Sequence, residues 1–302
     1  MTKYSPGPAA TAAVTALTLA LTLTACSQEP PADDSPSSAT GSATGTTLSH
    51  IHGLGARGDT LYIATHDGVH TPDAAGRPTL VGDRRDDFMG FTVTANGTFL
   101  ASGHPAPGSG GPADLGLVES TDSGRTWRER SLGGEVDFHS LDTASDATVY
   151  GYDSADARLR VSADGVAWEE RAALRALDIA VSPAAKDTVL ATTETGVARS
   201  ADGGRTFAPG KGEVLSYVSW GAPDALFGVD PSGVLFRGTD TGTAAGVRWA
   251  RVSTVPGGAP QALTVVDARR VLVATQDGVY ESRDGGRTFE RRVAVASGKE
   301  GH

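Results

Sequence analysis

The sequence predicts an all-β fold, a six-bladed β-propeller. Three observations carry that expectation. An octapeptide of the form Ser-x-Asp-x-Gly-x-Thr-Trp/Phe stands at Ser120–Trp127, Ser200–Phe207 and Ser282–Phe289, and returns in worn form as SADGVAW at Ser162–Trp168. Short apolar runs recur ahead of these copies: LYIATHDGV from Leu61 matches VLATTETGV from Val189 and VLVATQDGV from Val271. The chain holds 39 Gly in 302 residues, above the usual ~7%, as many short strands joined by tight turns require. Self-similarity at such a period is the mark of a repeat architecture.

Taken in order, each unit shows the same parts. A short strand opens it: HIHGLGA, FMGFTVT, FHSLDTA, LDIAVSP, SYVSWGA and QALTVVD. A second follows: the three matched runs, and looser copies at FLASGH from Phe99, VYGYDS from Val149 and LFGVDPSGV from Leu226. The octapeptide closes it, degenerate around Asp73 in the first unit and interrupted around Asp240 in the fifth. Asp73, Asp122, Asp164, Asp202, Asp240 and Asp284 then stand 38 to 49 residues apart, room for a four-stranded blade of about 40 residues. The expected blade order is inner strand, second strand, third strand, octapeptide turn, outer strand. Each unit is complete in itself, so no exchanged strand is expected to close the ring. Seven blades is the alternative, if residues 40–50 or the tail supply another strand.

The octapeptide resembles the Asp-box of BNR-repeat and sialidase-type β-propellers. Its chemistry suits a turn between strands: the Asp carboxylate accepts turn amides and Gly adopts positive φ. Asp122, Asp164, Asp202 and Asp284 are therefore expected to be structural. The resemblance covers about residues 49–292 and extends to bacterial surface proteins called glycosyl-hydrolase-like, to sortilin-type receptors and to photosystem assembly factors. It implies a fold more than an activity.

The ends of the chain read differently. Lys3 precedes an Ala/Thr/Leu run, Ala9–Ala25, of signal-peptide length. The run ends in Leu23-Thr24-Ala25-Cys26, which resembles a bacterial lipobox and implies a signal peptide over 1–25 and lipidation at Cys26, the single cysteine. Residues 26–48 are rich in Pro, Ser, Thr, Gly and Asp, a tether that would hold the domain on the order of 25 Å from its anchor. The propeller is expected over 49–295 and a disordered tail over 296–302. The expected location is the extracytoplasmic face of a bacterial membrane. A net charge of −10 excludes a nucleic-acid partner.

Aligning the units on one another gathers the histidines. The inner-strand column reads His52, Met89, His139, Asp178, Tyr217, Gln261, and the column at the end of the second strand begins His66, His104, Ser154, Glu194. In an up-and-down blade these positions share one face, opposite the octapeptide turns. His52, His66, Met89, His104 and His139 are therefore expected at one mouth of the channel, as ligands for a metal. His50, Asp87 and Asp137, two residues upstream in the inner strands, are expected to support them as outer-shell groups. Imidazoles with a thioether suit copper; zinc is the alternative, with the histidines alone or with Asp178 or Glu194. Polar channel filling is the plain reading of the same residues. The insertion HPAPGSGGPADLG at His104–Gly116 lies at this mouth, as a lid or a solvated loop.

An enzyme is the other class. Asp178, Glu194 and Tyr217 would be the catalytic group of a glycoside hydrolase acting on surface glycans. The inner strands carry no arginine, whereas sialidase resemblance implies three around the substrate carboxylate; this argues against sialidase chemistry. The expected function is a lipid-anchored binding protein with a His/Met metal or ligand site. The alternatives are the hydrolase and a scaffold for a surface protein.

Overall fold

The computed structural model describes residues 48, 50–243 and 246–295. The expected signal segment, Cys26, nearly all of the tether, and the tail at 296–302 lie outside the described residues. Leu48, assigned to the tether by composition, is buried against the first and last blades.

Among the described residues, twenty-four strands form six four-stranded antiparallel sheets, each built from four consecutive strands. Blade 1 comprises β1 (Ile51–Arg57), β2 (Thr60–Thr65), β3 (Gly68–Pro72) and β4 (Pro78–Leu80). Blade 2 comprises β5 (Asp87–Val93), β6 (Phe99–His104), β7 (Leu117–Ser120) and β8 (Arg128–Ser131). Blade 3 comprises β9 (Phe138–Thr143), β10 (Val149–Asp153), β11 (Arg158–Ser162) and β12 (Glu169–Ala173). Blade 4 comprises β13 (Ile179–Val181), β14 (Val189–Thr193), β15 (Gly196–Ser200) and β16 (Ala208–Lys211). Blade 5 comprises β17 (Tyr217–Ala222), β18 (Ala225–Val229), β19 (Val234–Asp240) and β20 (Val247–Thr254). Blade 6 comprises β21 (Pro260–Val265), β22 (Val271–Thr275), β23 (Gly278–Ser282) and β24 (Glu290–Ala294). The molecule is an all-β, six-bladed β-propeller, and the seven-bladed alternative falls.

The core lies between blades. The second strands are the most apolar, because both of their faces meet a neighbouring sheet; β10, β18 and β22 are buried at every residue. Each boundary between adjacent blades holds one apolar cluster, including the boundary of blade 6 with blade 1. The ring therefore closes by packing, without an exchanged strand. A buried salt bridge adds to that closure: Glu281 accepts Arg270 Nε at 2.8 Å, and the same guanidinium donates to the carbonyls of Gly58 and Asp59 in blade 1.

Inner strands of adjacent blades splay apart and cannot pair fully, so their amides need other acceptors. Small polar side chains of the neighbouring blade supply them. Ser102 Oγ accepts Phe138 N at 2.8 Å, Asp142 accepts Val181 N at 2.7 Å, Asp178 accepts Val218 N at 2.9 Å and Ser219 Oγ accepts Val265 N at 3.0 Å. Between blades 6 and 1, Gln261 Oε1 accepts Ile51 N at 3.2 Å and Thr264 Oγ1 donates to the Leu54 carbonyl at 2.8 Å. Blades 1 and 2 use close approach instead: a Cβ at Gly53 would stand 2.8 Å from Phe91 Cβ.

The octapeptides form the turns between third and fourth strands. In the turn of blade 4, Asp202 accepts the Thr206 amide at 2.9 Å, the Thr206 hydroxyl at 2.7 Å and the Ser200 hydroxyl at 2.7 Å. Asp122 and Asp284 repeat this set. Asp164, lacking the threonine, accepts Val166 N, Ala167 N and the Ser162 hydroxyl. Asp73 accepts Ala75 N, Arg77 N and Arg77 Nε. Asp240 departs from the pattern: it ends β19 and accepts Arg199 of blade 4 in a two-pronged pair at 2.8 and 3.0 Å.

Candidate metal centre

The mouth opposite the octapeptide turns is shaped by irregular pairing. On β1 the register slips between Ile51 and Gly53, so His52 is an extra residue bulged out of the ladder. The same slip passes over Met89 on β5, His139 on β9 and Gln261 on β21. A bulge bends its strand and re-aims the extra side chain. The column His52, Met89, His139, Gln261 is thus a column of bulges, and this is how an inner-strand side chain reaches the rim.

In blade 1, His50, His52 and His66 bring one ring nitrogen each within 4.8 Å of the others. His52 Nε2 lies 3.2 Å from His66 Nδ1. Nitrogen ligands 2.0–2.1 Å from a tetrahedral ion stand about 3.3 Å apart. Asp87, at the start of β5, joins from blade 2: its carboxylate is 2.8 Å from His66 Nδ1 and 3.6 Å from His52 Nε2. His50, expected to act behind the ligands, therefore stands with them. His52 is nearly enclosed, its side chain 9% exposed, whereas that of His66 is 44% exposed.

Electrostatics keep this group ready to bind a cation. Burial, then the neighbouring imidazoles of His66, His50 and His139, push His52 down to about 3. Burial and His66 also lower His50. Both rings are neutral at pH 7 and hold a lone pair for a ligand bond.

A second gathering lies one blade on. His139 Nε2 is 2.7 Å from Asp137 Oδ2, and His104 Nε2 is 3.3 Å from the same oxygen. His104 Nδ1 faces Asp114 Oδ1 at 3.2 Å. The hydrogen bond to Asp137 raises His139 above the ordinary imidazole range, against the effect of burial, with Asp87 adding to the rise. Met89 holds the bulge of blade 2, half-buried. The insertion is tied at both ends: Leu115 N donates to the Gly103 carbonyl at 2.8 Å, and Ala106 N to Asp86 Oδ1 at 2.9 Å. It delivers Asp114, which sequence alignment of the units passed over because no other unit has this loop.

The channel behind the mouth encloses a cavity of about 520 Å³ lined by His52, His139, Asp142, Asp178 and Tyr217 among others. Asp178 is engaged at both oxygens, by Ser140 Oγ at 2.7 Å and Val218 N at 2.9 Å, and burial raises it to about 6. Asp142, also missed in the sequence, is raised further, to about 7, by burial with Asp178 adding. Burial, with Asp178 adding, pushes Tyr217 up to about 12. Glu194 is exposed in the turn between β14 and β15 and does not line the cavity. One inner strand does carry an arginine: Arg57 ends β1, at the opposite rim, and donates to Ser123 Oγ of blade 2. Among the other histidines, His70 is buried in blade 1 and His302 lies outside the described residues.

No protein-family model matches the chain, and no curated protein matches it. Solved structures do. Virginiamycin B lyase from Staphylococcus aureus aligns with a TM-score of 0.55 at 12% identity, over 81% of this chain and 85% of that one. YCF48 bound to D1 peptide aligns with a TM-score of 0.51 at 16% identity, over 82% of each chain. The GH74 xyloglucanase from Xanthomonas campestris aligns with a TM-score of 0.50 at 20% identity, over 81% of this chain and 46% of that one. These neighbours are β-propeller proteins, and they include a peptide-binding protein and glycoside-hydrolase-type enzymes. At such identities they share the fold alone.

Proposed function

We propose that the chain is an Asp-box propeller of the lipoprotein type that binds a borderline divalent metal at the mouth of its channel. The observation that carries the reading is the meeting of His50, His52 and His66 within 4.8 Å of one another, with the Asp87 carboxylate against two of them. Three imidazoles and a carboxylate make a four-donor set without the Met89 thioether. Such a set suits zinc or copper(II), and the usual affinity order favours copper where both are offered.

Residues His50, His52 and His66 would hold the ion. Asp87 would complete the set or accept a hydrogen bond from His66, fixing the ring and raising its basicity. The lipobox-like Cys26 would tether the domain at the outer face of a bacterial membrane, so the role would be capture or presentation of metal there. Loading the purified chain with Cu(II) or Zn(II), desalting and measuring bound metal tests this. Near-stoichiometric metal in the parent and little in His52→Ala supports it; a folded parent that retains none refutes it. Incorporation of labelled fatty acid, lost in Cys26→Ala, tests the anchor.

The hydrolase reading has weaker support. Asp178 and Tyr217 do line the cavity, but both Asp178 oxygens are spent on joining blades, and Glu194 lies outside it. Turnover of a glycoside that Glu194→Ala abolishes would restore it. A partner protein recovered equally by parent and His52→Ala would favour the scaffold.

A further inference from the structure

The contact that joins His66 to Asp87 occurs twice. His66 follows β2 and meets the aspartate that opens the inner strand of the next blade. One blade on, His104 ends β6 and meets Asp137, two residues ahead of the bulged His139 of blade 3. The propeller repeat carries the His66–Asp87 pair onto the His104–Asp137 pair. The pattern then stops, because blade 3 has Ser154 where His66 and His104 stand.

We infer that His104, Asp137 and His139 form a second, separate divalent-cation centre beside the first. This inference rests on reading the first centre as a metal site. Three features support it. The Nε2 atoms of His104 and His139 both stand against one oxygen, Asp137 Oδ2, at 3.3 and 2.7 Å, and a turn of the exposed His104 ring would bring its nitrogen within ligand distance of His139. The other oxygen, Asp137 Oδ1, is buried and has no hydrogen-bond partner among the described residues, a costly state that a cation would relieve. The far nitrogen of His104 faces Asp114 Oδ1 and the Ala113 carbonyl, both at 3.2 Å, the arrangement that orients a ligating imidazole.

Two imidazole nitrogens and one carboxylate leave coordination positions open toward the mouth. That donor set takes zinc or another borderline divalent ion, and lacks the soft sulfur that would favour Cu(I). The insertion is here a ligand-orienting element: it exists in blade 2 alone, and its last residues bring Asp114 to His104. Asp87, which holds His66, occupies the same inner-strand position as Asp137, so the two carboxylates stand in successive blades.

The test is zinc stoichiometry of the purified full chain by equilibrium dialysis, repeated with Co(II) for its absorption spectrum. It is run on the parent, on His52→Ala/His66→Ala and on His104→Gln/His139→Gln. Two zinc equivalents in the parent, falling to one in each double variant, with two distinguishable Co(II) spectra, is the expected result. One equivalent in the parent that is lost in the His52/His66 variant alone overturns the second centre and leaves the first standing; one equivalent lost in the His104/His139 variant alone overturns the first centre and, with it, the pair of centres. No zinc in a folded parent overturns both. Two equivalents that the His104/His139 variant retains place the second ion elsewhere and overturn the assignment. Asp137→Asn replaces the double variant if that variant fails to fold, with the same readout.

Discussion

His66 Nδ1 and Asp87 Oδ2 meet at 2.8 Å across the boundary between the first and second blades. Neither residue is near the other in the chain, and neither blade holds the pair alone. The contact makes the candidate centre a property of the ring, since loss of packing between blades 1 and 2 would part its donors.

Asp87→Asn should weaken zinc or copper(II) binding about 10- to 100-fold, the usual effect of altering a carboxylate behind a metal-bound imidazole. His66→Ala should weaken it at least as much. Competition against a chromophoric chelator measures both. Unchanged affinity in both variants would remove Asp87 and His66 from the centre.

Met89→Leu should leave divalent-ion affinity within about threefold of the parent, because the imidazoles and Asp87 suffice and the substitution nearly conserves volume. Copper titration under reducing conditions checks the remaining role of the thioether. A large loss confined to Cu(I) would return Met89 to the ligand set.

Gly204→Ala should destabilise the propeller by about 1–3 kcal/mol or more. Gly204 sits at φ +80°, and a Cβ there would stand 2.2 Å from Leu159 Cδ2 in the preceding blade. Urea denaturation would show the loss as a lower midpoint. A midpoint unchanged from the parent would mean that the turn is not wedged between blades.

Glu281→Ala should cost about 3–5 kcal/mol, since it leaves the buried Arg270 guanidinium without its carboxylate. Arg270 is 8% exposed and also holds the Gly58 and Asp59 carbonyls at the closure of blade 6 on blade 1. Denaturation together with limited proteolysis near residues 58–60 would read both effects. Unaltered stability would leave closure to the apolar cluster alone.

Stability should depend on pH in two opposite ways. The Thr126 amide and hydroxyl, then the Ser120 hydroxyl, hold Asp122 down to about 2, and Asp202 and Asp284 are lowered by the same contacts. Their native values lie below the ordinary 3.8, so their stabilisation is present above about pH 4 and is lost as the pH falls through the native values. Asp142 is raised to about 7 by burial. Its contribution is full below about pH 4 and is lost as the pH rises through 7. Relative to the parent, Asp142→Asn should therefore gain stability between pH 4 and 8, while the acid limb stays the same. A constant difference across that range would show that Asp142 does not ionise there.

The repeat was legible in the chain because it is local. The spacing of Asp122, Asp164, Asp202 and Asp284, and the apolar runs ahead of them, define four-stranded units of about 40 residues, and the structure has six such blades with the octapeptides at the third turn. The columns His52/Met89/His139 and His66/His104 were legible for the same reason: an up-and-down sheet puts the start of one strand beside the end of the next.

Grouping those columns took tertiary structure. The bulges at His52, Met89 and His139 depend on cross-strand register, which no single segment encodes. The splay between blades decides that His66 reaches Asp87 and that His104 reaches Asp137, so the histidines fall into two gatherings where alignment alone suggested one. It also draws His50 in beside His52, brings Asp114 from a loop with no counterpart in other blades, and turns Asp178 and Asp142 to the amides of the next inner strand. Sequence determines what each blade can present; the angle between neighbouring blades determines which of those groups come within ligand distance.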